Sequence, residues 1–359
     1  MYFPESESKN GWKSLKNKKN INLEKLDIEI NRQQVFFGNH PNSIVIIKDG
    51  CLVYEHNTFM TLPQSRFDVW SCTKSFTGLA WLLLLEEIRK DAKLKKPLID
   101  LNTKVYRFLP KTFIKTDLRK KKITLHHLLS MTSGIPGESQ GIFGLATKFN
   151  DGPFEFALGQ CNNRYGKSIS NLSHEPGKNW DYSDAGVAIL SLLFFNIAKI
   201  NIDEYLSEKI LKPIGIENAS WDLHGGGQFL GPYTSSHIGL HISSRDLSRF
   251  GFLLLNQGKW KDKQLIPTYI VKKLTTKSQN LNVNYGYQYW LNTDGRHWTD
   301  LPKNMFALEG YNSNRCYIFP QEKLIVTRVG AGPSEWNEQN FISNIYKVCG
   351  CIYPSGFSI

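Results

Sequence analysis

The clearest strand-like runs of apolar residues lie toward the two ends of the chain. Near the N-terminus, Ser43–Lys48 and Cys51–His56 are two runs rich in β-branched residues, separated by Asp49-Gly50. Asp-Gly between such runs predicts a hairpin closed by a type I′ turn, because both central residues must take positive φ. A matching pair, Asn314–Phe319 and Lys323–Val329, is joined through Pro320-Gln321-Glu322. Between these ends the periodicity is mainly helical. Cys72–Lys90 is apolar nearly all round from Leu79 to Leu85, as a helix buried inside a protein is. Thr124–Met131 opens on a threonine cap and stops at Ser133-Gly134. Asp184–Ile200 reads as a further apolar helix. Ile202–Lys212 is amphipathic and is expected to end at Pro213, and Ser243–Asn256 opens on a capping-box arrangement and closes at Gly258.

Strands at both ends with helices between them predict an α+β fold. Both chain ends would form one antiparallel sheet flanked by helices, with a mostly helical lobe inserted. The expected boundaries are a polar lead-in over 1–36, with a short helix around Leu23–Asn31, and one domain over 37–359. Within that domain the sheet lobe takes 37–75 and 291–359, and the helical lobe 76–290. A cleft between two such lobes is a usual place for a substrate. Hydrophobic residues make up 41% of the chain, enough for a packed core and against disorder.

Charge changes this picture little. The net charge is +12, with lysines clustered at 13–19, 89–96 and 111–122. No nucleic-acid motif accompanies them, so they read as a solvated surface and not as a nucleic-acid interface. No apolar stretch reaches the roughly 20 residues of a membrane-spanning helix. MYFPESESKN has no apolar signal core, so the chain as written points to the cytoplasm, with an exported form whose leader has been trimmed left open. The six cysteines are scattered without a Cys-x-x-Cys pair and are expected to be free thiols. His237 and His241 are four apart, but Gly239 lies between them and no glutamate follows His237. His126 and His127 are adjacent. None of these reads as a metal site, and no cofactor is expected.

The candidate chemistry begins at Ser71-Cys72-Thr73-Lys74. A spacing of three puts Ser71 and Lys74 on one face of a helix, one turn apart. A lysine desolvated by apolar walls can take the hydroxyl proton, and a helix N-terminus favours negative charge on the serine oxygen. The four residues also fit a serine helix cap beside a snorkelling lysine. The same spacing recurs at Ser6 and Lys9, in a polar segment with no helix to arrange it. The second element is Trp180-Asp181-Tyr182-Ser183-Asp184. There Tyr182 is either a proton carrier at a cleft mouth or a core aromatic, and Asp184 is an N-cap candidate.

Taken together, WSCTKSFTG, LHHLLSMTSGIPG, PGKNWDYSDAGVAIL, EYLSEKILKPIGIENASW, SSRDLSRFGFLLLNQGKW and EGYNSNRCYIFPQEKLIV resemble, in that order, the serine β-lactamase and penicillin-binding-protein superfamily. The likeness is to its class C β-lactamase-like branch, which includes D-amino-acid peptidases, esterases and nylon-oligomer hydrolases, and it covers roughly residues 40–330. It implies a β-lactamase/transpeptidase-like fold and an acyl-enzyme on Ser71, with proton transfer shared by Lys74 and Tyr182. It also implies an oxyanion hole made by the N–H of Ser71 and, after Gly310, that of Tyr311. Two positions depart from the pattern. Asp184 stands where asparagine is frequent, and a carboxylate there is expected to pair with Lys74 and hold its proton. Leu308-Glu309-Gly310 stands where a lysine or histidine, a small residue and glycine are usual, so the cation that faces a penicillin carboxylate is missing. Arg315 on the neighbouring strand is a candidate to restore it.

The expected activity is therefore hydrolysis of an ester or amide in a small-molecule or peptide-like substrate. A true β-lactamase or D-Ala-D-Ala carboxypeptidase is one alternative, and a catalytically idle domain that binds or senses a ligand is another. A rival motif, Gly137-Glu138-Ser139-Gln140-Gly141, fits the nucleophile elbow of α/β-hydrolases, with His224-Gly225-Gly226-Gly227 as an oxyanion loop. Its context is wrong: Ser133-Gly134-Ile135-Pro136 precedes it where a buried strand is needed, and the glycine loop follows the serine instead of preceding it.

Overall fold

The computed structural model describes residues 2–14, 21–37, 40–58, 60–91, 99–137, 152–160, 171–224, 231–332 and 336–351. Ser139, Cys161, Gly225–Gly227 and most of the lysine clusters at 13–19 and 89–96 lie outside them.

The strands that frame the molecule are β1 (Asn42–Lys48), β2 (Cys51–Asn57), β3 (Phe67–Asp68), β4 (Leu240–Ile242), β5 (Trp290–Leu291), β6 (Phe306–Gly310), β7 (Asn314–Phe319) and β8 (Leu324–Gly330). Six of them form one antiparallel sheet in the order β5-β6-β7-β8-β1-β2. The two chain ends meet where β1 pairs with β8, from Asn42 opposite Gly330 to Lys48 opposite Leu324. The Asp49-Gly50 turn has φ of 51° and 78°, as the type I′ reading requires.

The principal helices are α1 (Leu23–Phe37), α2 (Thr73–Lys90), α3 (Leu125–Leu129), α4 (Asp184–Ala188), α5 (Leu190–Ala198), α6 (Ser244–Leu255) and α7 (Glu338–Val348). They cover both faces of the sheet, so its strands are buried on both sides and carry apolar residues at successive positions. On β1, Val45 and Ile47 enter the core shared with α2 and α6, while Ile44 and Ile46 enter the one beneath α1 and α7. The mixed helical and antiparallel architecture is that of the β-lactamase/transpeptidase-like fold.

Several helix ends differ from expectation, each for a local reason. The first helix runs past Asn31 to Phe37, and its Leu26 and Ile30 are buried against Phe341 and Ile345 of α7. The stretch 184–200 is two helices that meet at Ile189. Pro213 does not end the helix that begins at Ile202. That helix widens to a π turn over Ser207–Leu211, so proline falls in the first turn of a 3₁₀ segment where it needs no N–H, and Gly215 at φ 81° stops the chain. The caps at Thr124 and Ser243 form as expected: Thr124 Oγ1 accepts from His127 N at 3.2 Å, and Ser243 Oγ accepts from Asp246 N at 3.1 Å. The five described cysteines, 51, 72, 316, 349 and 351, are free thiols. Among the described residues no cluster of His, Cys, Asp and Glu is arranged to hold a metal ion, and no single helix is long and apolar enough to cross a membrane.

Candidate active site

Ser71 lies in a 3₁₀ turn, Trp70–Cys72, that leads from β3 into α2. The residue before it, Trp70, has φ of 49°, a left-handed conformation that a large side chain adopts only when its surroundings impose it. Here they do. Asp68 Oδ1 accepts from Trp70 N at 2.8 Å and from Gly239 N at 3.2 Å, while Thr73 Oγ1 donates to Trp70 O at 2.6 Å. The turn is thereby tied to the segment that leads into β4, and it holds Ser71 half-buried in front of the helix.

Lys74, in the first turn of α2, is 1% exposed. An ammonium has three donors, and three acceptors surround this one: Ser71 Oγ at 2.7 Å, the backbone oxygen of His237 at 2.9 Å and Asp184 Oδ1 at 2.6 Å. Sequence reasoning found the serine and the carboxylate but not His237, since a backbone carbonyl leaves no side-chain signature. Asp184 does not cap its helix. Ser183 does so, its Oγ accepting from Gly186 N at 3.0 Å, and this leaves the Asp184 carboxylate to pair with Lys74.

Tyr182 lies just ahead of that cap. Its ring centroid is 4.9 Å from Lys74 Nζ, and the ring also stacks on Trp290 at 5.8 Å. Trp290 had no signal in the sequence beyond being aromatic. It sits on the edge strand β5, and Trp180 and Tyr285 pack edge-on against it.

Gly310 ends β6 against the nucleophile turn. A Cβ there would lie 2.1 Å from Val69 O and 3.1 Å from Ser71 N, so only glycine lets the strand approach this closely. Tyr311 follows at the start of a tight turn in which Asn312 and Ser313 have φ of 57° and 60°. Its ring is largely exposed and packs edge-on against Trp70 at 5.3 Å. The structure thus brings Ser71, Lys74, Tyr182, Asp184, Gly310 and Tyr311 to one place.

Alternation along β6 separates the three residues of the altered motif. Leu308 shares the face of Gly310 and is fully buried in the main core. Glu309 points to the opposite face, where its Oε1 lies 2.7 Å from His297 Nε2 and its Oε2 lies 3.8 Å from Arg315. The acid therefore does not enter the cleft. Nor does Arg315 supply the missing cation. It holds Glu338 through Nε at 2.9 Å and Nη2 at 2.7 Å, and donates to Gly310 O at 2.6 Å behind the strand.

The remaining candidates have structural partners. His126 Nδ1 meets Tyr287 OH at 2.8 Å, and burial lowers the pKa of His127, the partner of the Thr124 cap, to about 4. His241 pairs with Asp222 at 3.0 Å. Cys72, beside the nucleophile, is fully buried and its Sγ lies 3.5 Å from Asn314 O; burial pushes its thiol well above the ordinary range.

The model of the β-lactamase family matches residues 43–335, most of the chain. The chain belongs to the β-lactamase family. Among solved structures, this family member is similar to an assigned 6-aminohexanoate-dimer hydrolase from Bacillus anthracis, with 22% identity, 97% of this chain and 86% of that one covered, and a TM-score of 0.68. It is also similar to EstCE1, described as a hydrolase with promiscuous acyltransferase activity, with 14% identity, 93% and 99% covered, and a TM-score of 0.68. At these identities the likeness is one of fold. Among curated proteins, Protein flp of Staphylococcus aureus (strain MW2) is 29% identical over 164 residues. That match spans 44% of this chain and only 28% of the relative's length.

Proposed function

We infer that this β-lactamase-family protein hydrolyses an ester or amide bond in an uncharged substrate through an acyl-serine intermediate. The observation that carries the reading is the set of contacts around Lys74: its ammonium meets Ser71 Oγ at 2.7 Å while Asp184 and His237 O take its other two donors. A lysine so paired orients the serine oxygen and places a fixed positive charge beside it. Tyr182, whose ring faces Lys74 Nζ at 4.9 Å, is the side chain left to carry the mobile proton.

In the reaction proposed, Ser71 Oγ attacks the substrate carbonyl carbon and its proton passes to the Tyr182 oxygen. The carbonyl oxygen becomes an oxyanion received by the N–H groups of Ser71 and Tyr311, a role that the close approach of Gly310 to the Ser71 turn supports. The tetrahedral carbon then expels its alcohol or amine, which takes the proton from Tyr182. Water repeats the sequence on the acyl-serine, releasing the acid and restoring the hydroxyl. Leu308, buried in the core at the position of the usual cation, with Arg315 engaged behind β6, supports a substrate without a carboxylate there over a penicillin.

Labelling with a fluorophosphonate, followed by mass mapping, tests this. One adduct on Ser71, absent in Ser71→Ala, is expected, together with esterase turnover that the same substitution abolishes. Absence of an adduct on folded protein would favour a domain that binds a ligand without chemistry.

A further inference from the structure

Glu309 stands in the altered motif where a small residue is usual, and its carboxylate turns away from the nucleophile. Its partner is His297, whose Nε2 lies 2.7 Å from Glu309 Oε1. An ionised carboxylate only accepts, so Nε2 is the donor of this bond. The acceptor is well rooted. Glu309 lies on an inner strand of the sheet, and its other oxygen is 3.8 Å from the Arg315 guanidinium that holds Glu338. A small residue at this position has no atom that reaches the loop of His297.

The imidazole held in this way is the first of three rings in near-parallel planes. His297 stacks on Trp290 with centroids 4.9 Å apart and planes at 5°, and Trp290 stacks on Tyr182 at 5.8 Å and 21°. The Tyr182 ring in turn has Lys74 Nζ 4.9 Å from its centroid. Trp290 sits on a two-residue strand at the edge of the sheet, paired with β6 through Phe306 and Ala307. So short a ladder fixes a ring weakly, and side-chain contacts must add to it. Trp180 and Tyr285 meet the indole edge-on, while His297 covers it in parallel and ties it to the sheet through Glu309.

We propose that Glu309 and His297 are positioning residues for Tyr182, which set through Trp290 the place from which the phenol exchanges protons. The inference rests on the hydrolase reading above. It gives the acid of the altered motif a task toward the proton carrier and not toward the substrate.

The test uses the full chain and an ester substrate. Glu309→Ala is expected to lower kcat and kcat/KM together by about tenfold, as displacement of a proton-transferring group does. Glu309→Gln, whose amide oxygen still accepts from Nε2–H, should keep most of the activity. His297→Phe keeps a ring against Trp290 and loses the anchor, so it should fall as Glu309→Ala does. The double variant Glu309→Ala/His297→Phe should be no slower than either single change, because the two residues act as one unit. An unchanged kcat in folded Glu309→Ala, an equal loss in Glu309→Gln, or losses that multiply in the double variant would overturn the proposal. Should Glu309→Ala fail to fold, His297→Phe carries the same expectation and the same refutation. A second readout needs no turnover: 3-fluorotyrosine placed at position 182 reports its surroundings through its fluorine resonance. That line is expected to move in Glu309→Ala and in His297→Phe and to stay in place in Glu309→Gln, and a line unmoved by the first two overturns the anchor. If the wild type cleaves no ester, the hydrolase reading is the one that fails, and the fluorine line then decides the anchor by itself.

Discussion

The ion pair between Lys74 and Asp184 is buried at the centre of the candidate site. Both side chains are almost fully buried and their charged atoms are 2.6 Å apart. Removing one partner of such a pair leaves an uncompensated charge in a medium that solvates it poorly, whereas replacing both by apolar groups is often tolerated. Asp184→Ala is therefore expected to destabilise the fold by roughly 3–5 kcal/mol in urea unfolding. Lys74→Met combined with Asp184→Leu should cost distinctly less than that single change, although it removes the site. A double variant no more stable than the single one would show that the pair is a net structural contributor in its own right. Trp70 presents a related case of local cost held for position. Its left-handed backbone stores roughly 1–3 kcal/mol, set against the bonds from Asp68 and Thr73 that hold the turn.

Among the elements, strand β6 has the tightest tolerance. It must bring Gly310 against the nucleophile turn and still pair with β7 from Phe306 opposite Ile318 to Gly310 opposite Asn314. Behind it, Arg315 donates to Gly310 O, and Arg328 donates to Asn312 O and Gly330 O, so the turn after the strand is clamped from the rear. Gly310→Ala would set a methyl 2.1 Å from Val69 O, and a backbone oxygen cannot swing aside as a side chain can. The sheet has many other ladder bonds, so the variant is expected to fold, with an unchanged circular dichroism spectrum. Its fluorophosphonate labelling and ester turnover should fall about a hundredfold or more, the scale of losing one oxyanion donor. Full activity in Gly310→Ala would mean that the strand does not shape the oxyanion site.

Over the whole molecule, what could be read in the sequence was what local chemistry determines. Asp49-Gly50 specifies its hairpin by φ alone, and Ser71 with Lys74 became legible through the apolar helix that follows them. The pairing of β1 with β8 followed from having strands at both ends. What stayed hidden depends on contacts between distant segments: His237 O on Lys74, Trp290 against Tyr182, and Glu309 and Arg315 turning behind the sheet. The buried histidines belong to the same class, and together they make stability depend on pH. Burial lowers His127 and His237 to about 4 and His224 well below its usual value. In the unfolded chain each titrates near its ordinary value of about 6.5. Between about pH 6.5 and 4 the unfolded state thus binds more protons than the folded one, and stability falls as pH falls. Asp246 works the other way. Burial raises its carboxyl to about 6, so the folded state takes up a proton there before the unfolded one does, and this offsets one of the three. Urea midpoints are therefore expected to drop steadily from pH 7 to pH 5. His237→Gln should flatten that slope by about one proton, and Asp246→Asn should steepen it. A midpoint independent of pH over this range would mean that the three imidazoles reach water in the folded protein.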